Sequence, residues 1–162
     1  MKRFLALFLV CAVMLACTAC AEKYEDTNGP EDYSLQTITD EDIIHLRTGA
    51  SGLSYQESNL GLLKSSEYSS KNFNGVEQIY LTNFIGKSDV IVYIGHMDIS
   101  QGNFRLVVIN NEEIIHEFAP DTFNEEFRFA DLTGTFSIHV AGESAAFTIA
   151  MTEMHYDLFE HD

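Results

Sequence analysis

The residues of this 162-residue chain that could do chemistry are six histidines, three cysteines and 25 Asp and Glu. Their spacing limits what they can do together. His45, His96, His116, His139, His155 and His161 form no His-x-x-x-His pair, and no glycine-rich phosphate loop accompanies them, so the signatures of zinc and nucleotide sites are missing. The best remaining set is His96 with Asp98. Residues two apart share one face of a strand, and His116, beside Glu117, joins them if its strand lies alongside. Scattered strand histidines are more often surface residues, so neither a metal nor a cofactor is expected.

A serine hydrolase needs a serine on a sharp turn, a histidine and an acid. Gly142-Glu143-Ser144-Ala145 departs from Gly-x-Ser-x-Gly and fits better as the turn of a late hairpin. Among 25 carboxylates some pair must approach, so paired acids point to no glycosidase. There is no Trp to stack a sugar. Tyr55, Tyr68, Tyr80 and Tyr93 could serve, but Tyr80 and Tyr93 fall in strand runs where core packing competes for the ring. The chain reads as non-enzymatic, with a hydrolase built on loops as the alternative.

The cysteines are more informative through their position. Lys2 and Arg3 precede an unbroken apolar run, Phe4 to Ala16, too short for a lasting membrane span and closed by a small residue before Cys17. Met14-Leu15-Ala16-Cys17 resembles the lipobox of bacterial lipoproteins, whose cysteine thiol receives a diacylglycerol before the signal is cut ahead of it. Thr18-Ala19-Cys20 has smaller residues but sets Cys17 where a large aliphatic is usual, which makes Cys17 the favoured lipidation site and Cys20 the alternative. The resemblance implies that residues 1–16 are a signal peptide, that the protein lies outside the cytoplasm, and that a lipid anchor ties it to the membrane. Two acyl chains hold firmly where one holds marginally. The match stops at the signal and implies nothing about the fold that follows. Cys11, Cys17 and Cys20 all lie in or beside that signal, leaving the exported domain without a pair to oxidise.

The formal charge of the whole chain is −16. Without Lys2 and Arg3, the part from Cys17 onward keeps 7 Lys and Arg against 25 Asp and Glu, a charge of −18. Such a surface repels phosphate backbones and excludes nucleic acid as a partner. It suits solubility beside a negatively charged envelope. Residues 17–38 read as an acidic tether, holding Gly29 and Pro30 and lacking apolar periodicity. The run Asp26-Thr27-Asn28-Gly29 lacks the alternating ligands and closing Glu of a calcium loop.

The elements that must position these residues begin at 39. Thr39-Asp40-Glu41-Asp42 starts a short helix, read over 39–48, with Thr39 as cap, an acidic first turn, Arg47 near its end and Gly49 closing it in a left-handed conformation. It is expected on the sheet edge. Ser51 to Gly75 is rich in Ser, Asn and Gly and reads as loop, with an irregular edge strand near Leu62 to Tyr68. From Val76 onward seven short β-branched and aromatic runs follow, ending near Met151. Phe104, Leu106 and Val108 alternate with Arg105, and Phe136, Ile138 and Val140 with Ser137 and His139, which predicts one buried and one wet face. Val90 to Ile94 is apolar on both faces, as in a central strand, and Asn110-Asn111 is placed as a hairpin turn.

Seven strands at this spacing argue an all-β fold, a two-sheet antiparallel β-sandwich over 39–162, immunoglobulin-like or jelly-roll-like, with one short N-terminal helix. Asp131-Leu132-Thr133-Gly134-Thr135-Phe136-Ser137-Ile138 resembles the Gly-x-Tyr-x-Cys segment of immunoglobulin-like sandwiches, with Phe136 in the Tyr place. Phe has no hydroxyl, so the tyrosine-corner bond cannot form, and no family is named by the match. The stretch from Gly102 to Ala145 also looks like a domain of small Gram-positive lipoproteins of unassigned role. The expected function is that of a membrane-anchored binding or interaction module taking a surface ligand, protein or glycan.

Overall fold

A computed structural model describes residues 35–60 and 63–157 of the chain. The signal peptide, Cys11, Cys17, Cys20, His161 and nearly all of the tether lie outside the described residues. The described part belongs to one unit, Asp32–Asp162. Its elements are α1 (Asp40–Ile44), β1 (Ser54–Leu60), β2 (Leu63–Asn110), β3 (Glu113–Glu117) and β4 (Phe123–Asp157). They form one antiparallel sheet that does not close on itself.

The strands are fewer and far longer than the runs in the sequence imply. Residues expected as turns at 86–89, 100–103, 132–134 and 142–144 stay within β2 and β4, where the register slips and the strand bends instead of reversing. Gly102 and Gly134 show why such residues mislead. Both have positive φ, +75° and +70°, a conformation that serves a bulge as well as a turn. Two of the reversals expected between strands are real: Pro120-Asp121 is a turn between β3 and β4, and the Asn110-Asn111 turn is displaced by a residue, with Asn111 and Glu112, both at positive φ, joining β2 to β3.

β2 and β4 pair along three stretches. Residues 66–84 of β2 run antiparallel to 134–151 of β4, from Ser66 opposite Met151 to Phe84 opposite Gly134. Residues 88–110 run antiparallel to 136–157, from Ser88 opposite Asp157 to Asn110 opposite Phe136. The 134–151 stretch therefore has β2 on both sides. Val90 to Ile94 is central as expected, flanked by 125–129 and 151–155. β1 is an edge strand on β2, which places Ser66 to Ser69 inside the sheet, between β1 and β4, and corrects the edge position expected for the strand near Leu62 to Tyr68.

Alternation sorts the apolar residues into two clusters. Val90, Val92, Ile94, Phe104, Leu106, Val108, Phe136, Ile138 and Val140 share the main core with Phe147, Ile149 and Met151. Val76, Val107, Ile109 and Ala141, on the opposite face, form a smaller cluster with Ile43 of α1 and the partly buried Leu35, Ile38, Ile44 and Ile114. Among the described residues both clusters are built within 35–157. The helix thus lies on the sheet face, not at its edge, and the 136–141 stretch is buried on two sides.

Candidate functional site

The site begins with the short helix. Thr39 Oγ1 accepts from the Asp42 N–H at 3.3 Å, while Asp42 Oδ2 accepts from the Thr39 N–H at 3.0 Å, a capping box closed by Asp instead of Glu. The Thr39 hydroxyl and amide hold the Asp42 carboxyl below its ordinary range. The helix ends earlier than expected, with His45 as C-cap and Leu46 at φ 51°, taking the left-handed position expected of Gly49. Arg105 fastens the assembly to the sheet, bonding Asp40 at 2.6 Å and Glu117 of β3 at 2.7 Å.

Beneath the helix lies His139, only 3% exposed. This corrects the expectation of a wet face around Ser137 and His139. The imidazole Nδ1 lies 2.8 Å from the carbonyl oxygen of Ile43. A carbonyl can only accept, so Nδ1 carries the proton and Nε2 keeps its lone pair. Burial pushes the His139 pKa down, more than the bond to Ile43 raises it. Nε2 itself is shielded and has no hydrogen-bond partner among the described residues.

A groove of about 510 Å³ opens beside the ring. Its floor is Gln78, Ser137 and His139, from neighbouring stretches of β2 and β4. One wall is the helix end, Ile44 to Leu46, and the other is the Asn111-Glu112 turn. Leu81 and Ile109 add aliphatic surface, and Leu46 and Leu81 remain 41% and 49% exposed. Among the described residues, neither Lys nor Arg lines the groove.

Glu143 is the second built feature, and it organises the chain just before the helix. Its carboxylate accepts the Gln36 N–H at 2.9 Å, the Thr37 N–H and hydroxyl each at 2.6 Å, the Ile38 N–H at 3.0 Å and the Asn103 amide at 3.3 Å. Desolvation pushes its pKa up, but the Thr37 hydroxyl and the three backbone donors outweigh that and bring it to about 2. Ser144, its neighbour in the rejected hydrolase motif, is exposed and only its N–H is engaged, by Asn74 Oδ1 at 2.8 Å.

The other residues singled out in the sequence do not converge. His116 is packed against Phe118, Phe127 and Phe129, with ring centroids 4.8, 5.0 and 5.6 Å away, its Nε2 unpartnered. His96 is half-buried and Asp98 exposed, and among the described residues no group of three His, Cys, Asp or Glu is placed to hold a metal ion. Tyr68 is buried with its hydroxyl on the Ile79 carbonyl, Tyr80 packs edge-on to Phe136, and Tyr55 lies on Tyr68 at 5.2 Å. Tyr93 is partly exposed and bonds Asn124 at 2.8 Å. None of these tyrosines lines the groove.

No family model and no curated protein matches the chain. Among solved structures, a crystal structure of a protein of unknown function from Rhizobium leguminosarum bv. viciae 3841 aligns at 18% identity over 74% of this chain and 96% of that one. Its TM-score of 0.32 is too low to carry an argument about fold or function. Among the described residues, no helix is long and apolar enough to cross a membrane.

Proposed function

We propose that the chain is a bacterial lipoprotein, anchored outside the cytoplasm through Cys17, whose domain is a non-enzymatic binding module for a surface ligand, protein or glycan. The domain reads as a two-layer β-sandwich in which β2 and β4 bend from one layer into the other around the main core. The observation that carries the binding role is the groove over His139, an aliphatic and hydrogen-bonding cleft with a rigidly held ring at its floor. A hydrolase is the weaker reading. Ser137 and His139 both line the groove, but Nε2 bonds no hydroxyl and Nδ1 meets a backbone carbonyl instead of a carboxylate.

The test is retention of the protein on purified peptidoglycan, on a glycan array and on envelope protein fractions, comparing wild type with Leu81→Asp, a change at an exposed wall position. Retention by one of these and its loss in the variant is the expected result. Equal retention of the two proteins, or none at all, would remove the groove from the function.

A further inference from the structure

We propose that the groove takes a lysine side chain of a protein partner, its methylene stem along the aliphatic wall and its ammonium at Glu112. This rests on the reading of the groove as the binding site and names the chemistry of its ligand. Glu112 is the second residue of the two-residue turn between β2 and β3, at φ 66° after Asn111 at φ 48°. Asn tolerates such a position and Gly takes it freely, whereas Glu is strained there. The turn is also pinned. The Asn111 N–H donates to the Thr135 carbonyl at 3.0 Å, and its side-chain amide donates to the Thr133 carbonyl at 2.8 Å and accepts the Thr135 N–H at 3.0 Å. Glycine would suit the fold better. What Glu adds is an exposed carboxylate in the wall of the groove, a strained residue placed at a site.

Charge around the groove favours a cation. Glu112 has no hydrogen-bond or ion-pair partner among the described residues, and its exposed side chain is free to swing over the opening. On the opposite side, His45 and Arg47 both lie against Glu41, at 3.4 and 3.5 Å, and leave Glu112 unmatched. In a chain of charge −16, with neither Lys nor Arg among the described lining residues, an anionic ligand is repelled and a cationic one drawn in. Leu46, Leu81 and Ile109 offer aliphatic surface for methylenes, against which a lysine stem packs while its head stays near water. The half-buried Gln78 adds an amide oxygen at the floor. The flexible four-carbon stem of lysine covers more of this surface than the shorter stem of arginine, which decides between the two cations.

The probes are capped tripeptides with lysine, norleucine or arginine between two alanines, titrated at about pH 8, where free histidine is neutral. The readout is the backbone amide resonances of Leu81 and Glu112 in the ¹⁵N-labelled full chain, held in a non-ionic detergent. The lysine peptide should shift them saturably, and the norleucine peptide should bind roughly fivefold more weakly, as the loss of one exposed ion pair implies. Added salt should weaken the lysine peptide alone. Glu112→Gln should bring lysine down to the norleucine level, while Glu125→Gln, at an exposed carboxylate outside the groove, should leave it unchanged. Glu112→Gly should lose the lysine preference and unfold at a higher urea concentration than wild type. Equal binding of lysine and norleucine, tighter binding of arginine, a preference that survives Glu112→Gln or falls equally in Glu125→Gln, or a Glu112→Gly protein no more stable than wild type would each overturn the proposal. If lysine shows no preference while Leu81→Asp still loses an envelope ligand, the lysine assignment falls and the binding role stands. If both fail, both fall.

Discussion

His139 and Ile43 lie 96 residues apart and meet through a 2.8 Å hydrogen bond from an imidazole N–H to a helix carbonyl. That bond seals the outer cluster, because α1 makes only a turn and a half and has few other ties to the sheet. His139→Ala leaves the Ile43 carbonyl buried without a donor and opens space under the helix. The expected loss is about 2–3 kcal/mol, against about 3–5 kcal/mol for Phe136→Ala in the main core. Urea unfolding of the two variants beside wild type measures both, and a His139→Ala protein as stable as wild type would mean the helix is not held this way.

Glu143 and His139 give stability two acid-sensitive steps. The Glu143 carboxylate titrates at about 2 when folded, below its ordinary 4.5, so its contribution is full above 4.5 and disappears as pH falls from there toward 2. His139 titrates below its ordinary 6.5 when folded, so the unfolded chain takes up its proton first and stability declines as pH drops below 6.5. Glu143→Gln should shrink the lower step, to which the lowered Asp42 and Asp89 carboxyls also contribute, and leave the upper one, whereas His139→Gln should remove the upper step and leave the lower. Denaturant midpoints collected across pH in the three proteins would show whether the steps separate.

Backbone geometry sets a third expectation. Gly75 has φ +102°, and a Cβ there would lie 2.1 Å from the Gly49 carbonyl oxygen. Gly75→Ala should cost at least about 1–3 kcal/mol. Gly86 has ordinary φ and nothing within 4 Å of an added Cβ, so Gly86→Ala should be neutral or stabilising by up to about 1 kcal/mol. Thermal unfolding of the pair decides it, and similar behaviour would mean the bend at Gly75 is not what joins β2 to the segment around Gly49.

Anchoring is tested by fatty-acid labelling in cells. Cys17→Ala should lose the label and stay unprocessed or be released, while Cys20→Ala keeps it. Loss only in Cys20→Ala would move the site, and absence of label from wild type would end the lipoprotein reading.

What was legible in the sequence were the strands with a strong period of two. Phe104, Leu106 and Val108, Phe136, Ile138 and Val140, and Phe147, Ile149 and Met151 place their side chains in the main core as alternation demands, although Val107, Ser137 and His139 between them are buried too. Residues 63–75 were not legible, because only Tyr68 and Phe73 of the described side chains there reach the main core and the rest is Ser, Asn, Lys and Glu. The groove was invisible for another reason. Ser137 and His139 alternate with apolar neighbours as a solvent-facing pair would, and what covers them is a helix 96 residues earlier that no local pattern connects to them. Glu143 looked like a turn residue because its partners, Gln36 to Ile38, sit more than 100 positions away.

The double pairing of β4 also dictates an order of assembly. Residues 66–84 and 94–110 are both complete long before 134–151 exists, yet most of the pairing of each is with that later segment. A chain growing from its N-terminus cannot finish the sheet until β4 has been made. Contacts this distant in sequence form slowly, because the loop must close before they reward it. The main core can therefore form only once β4, the last long strand of the described residues, has emerged.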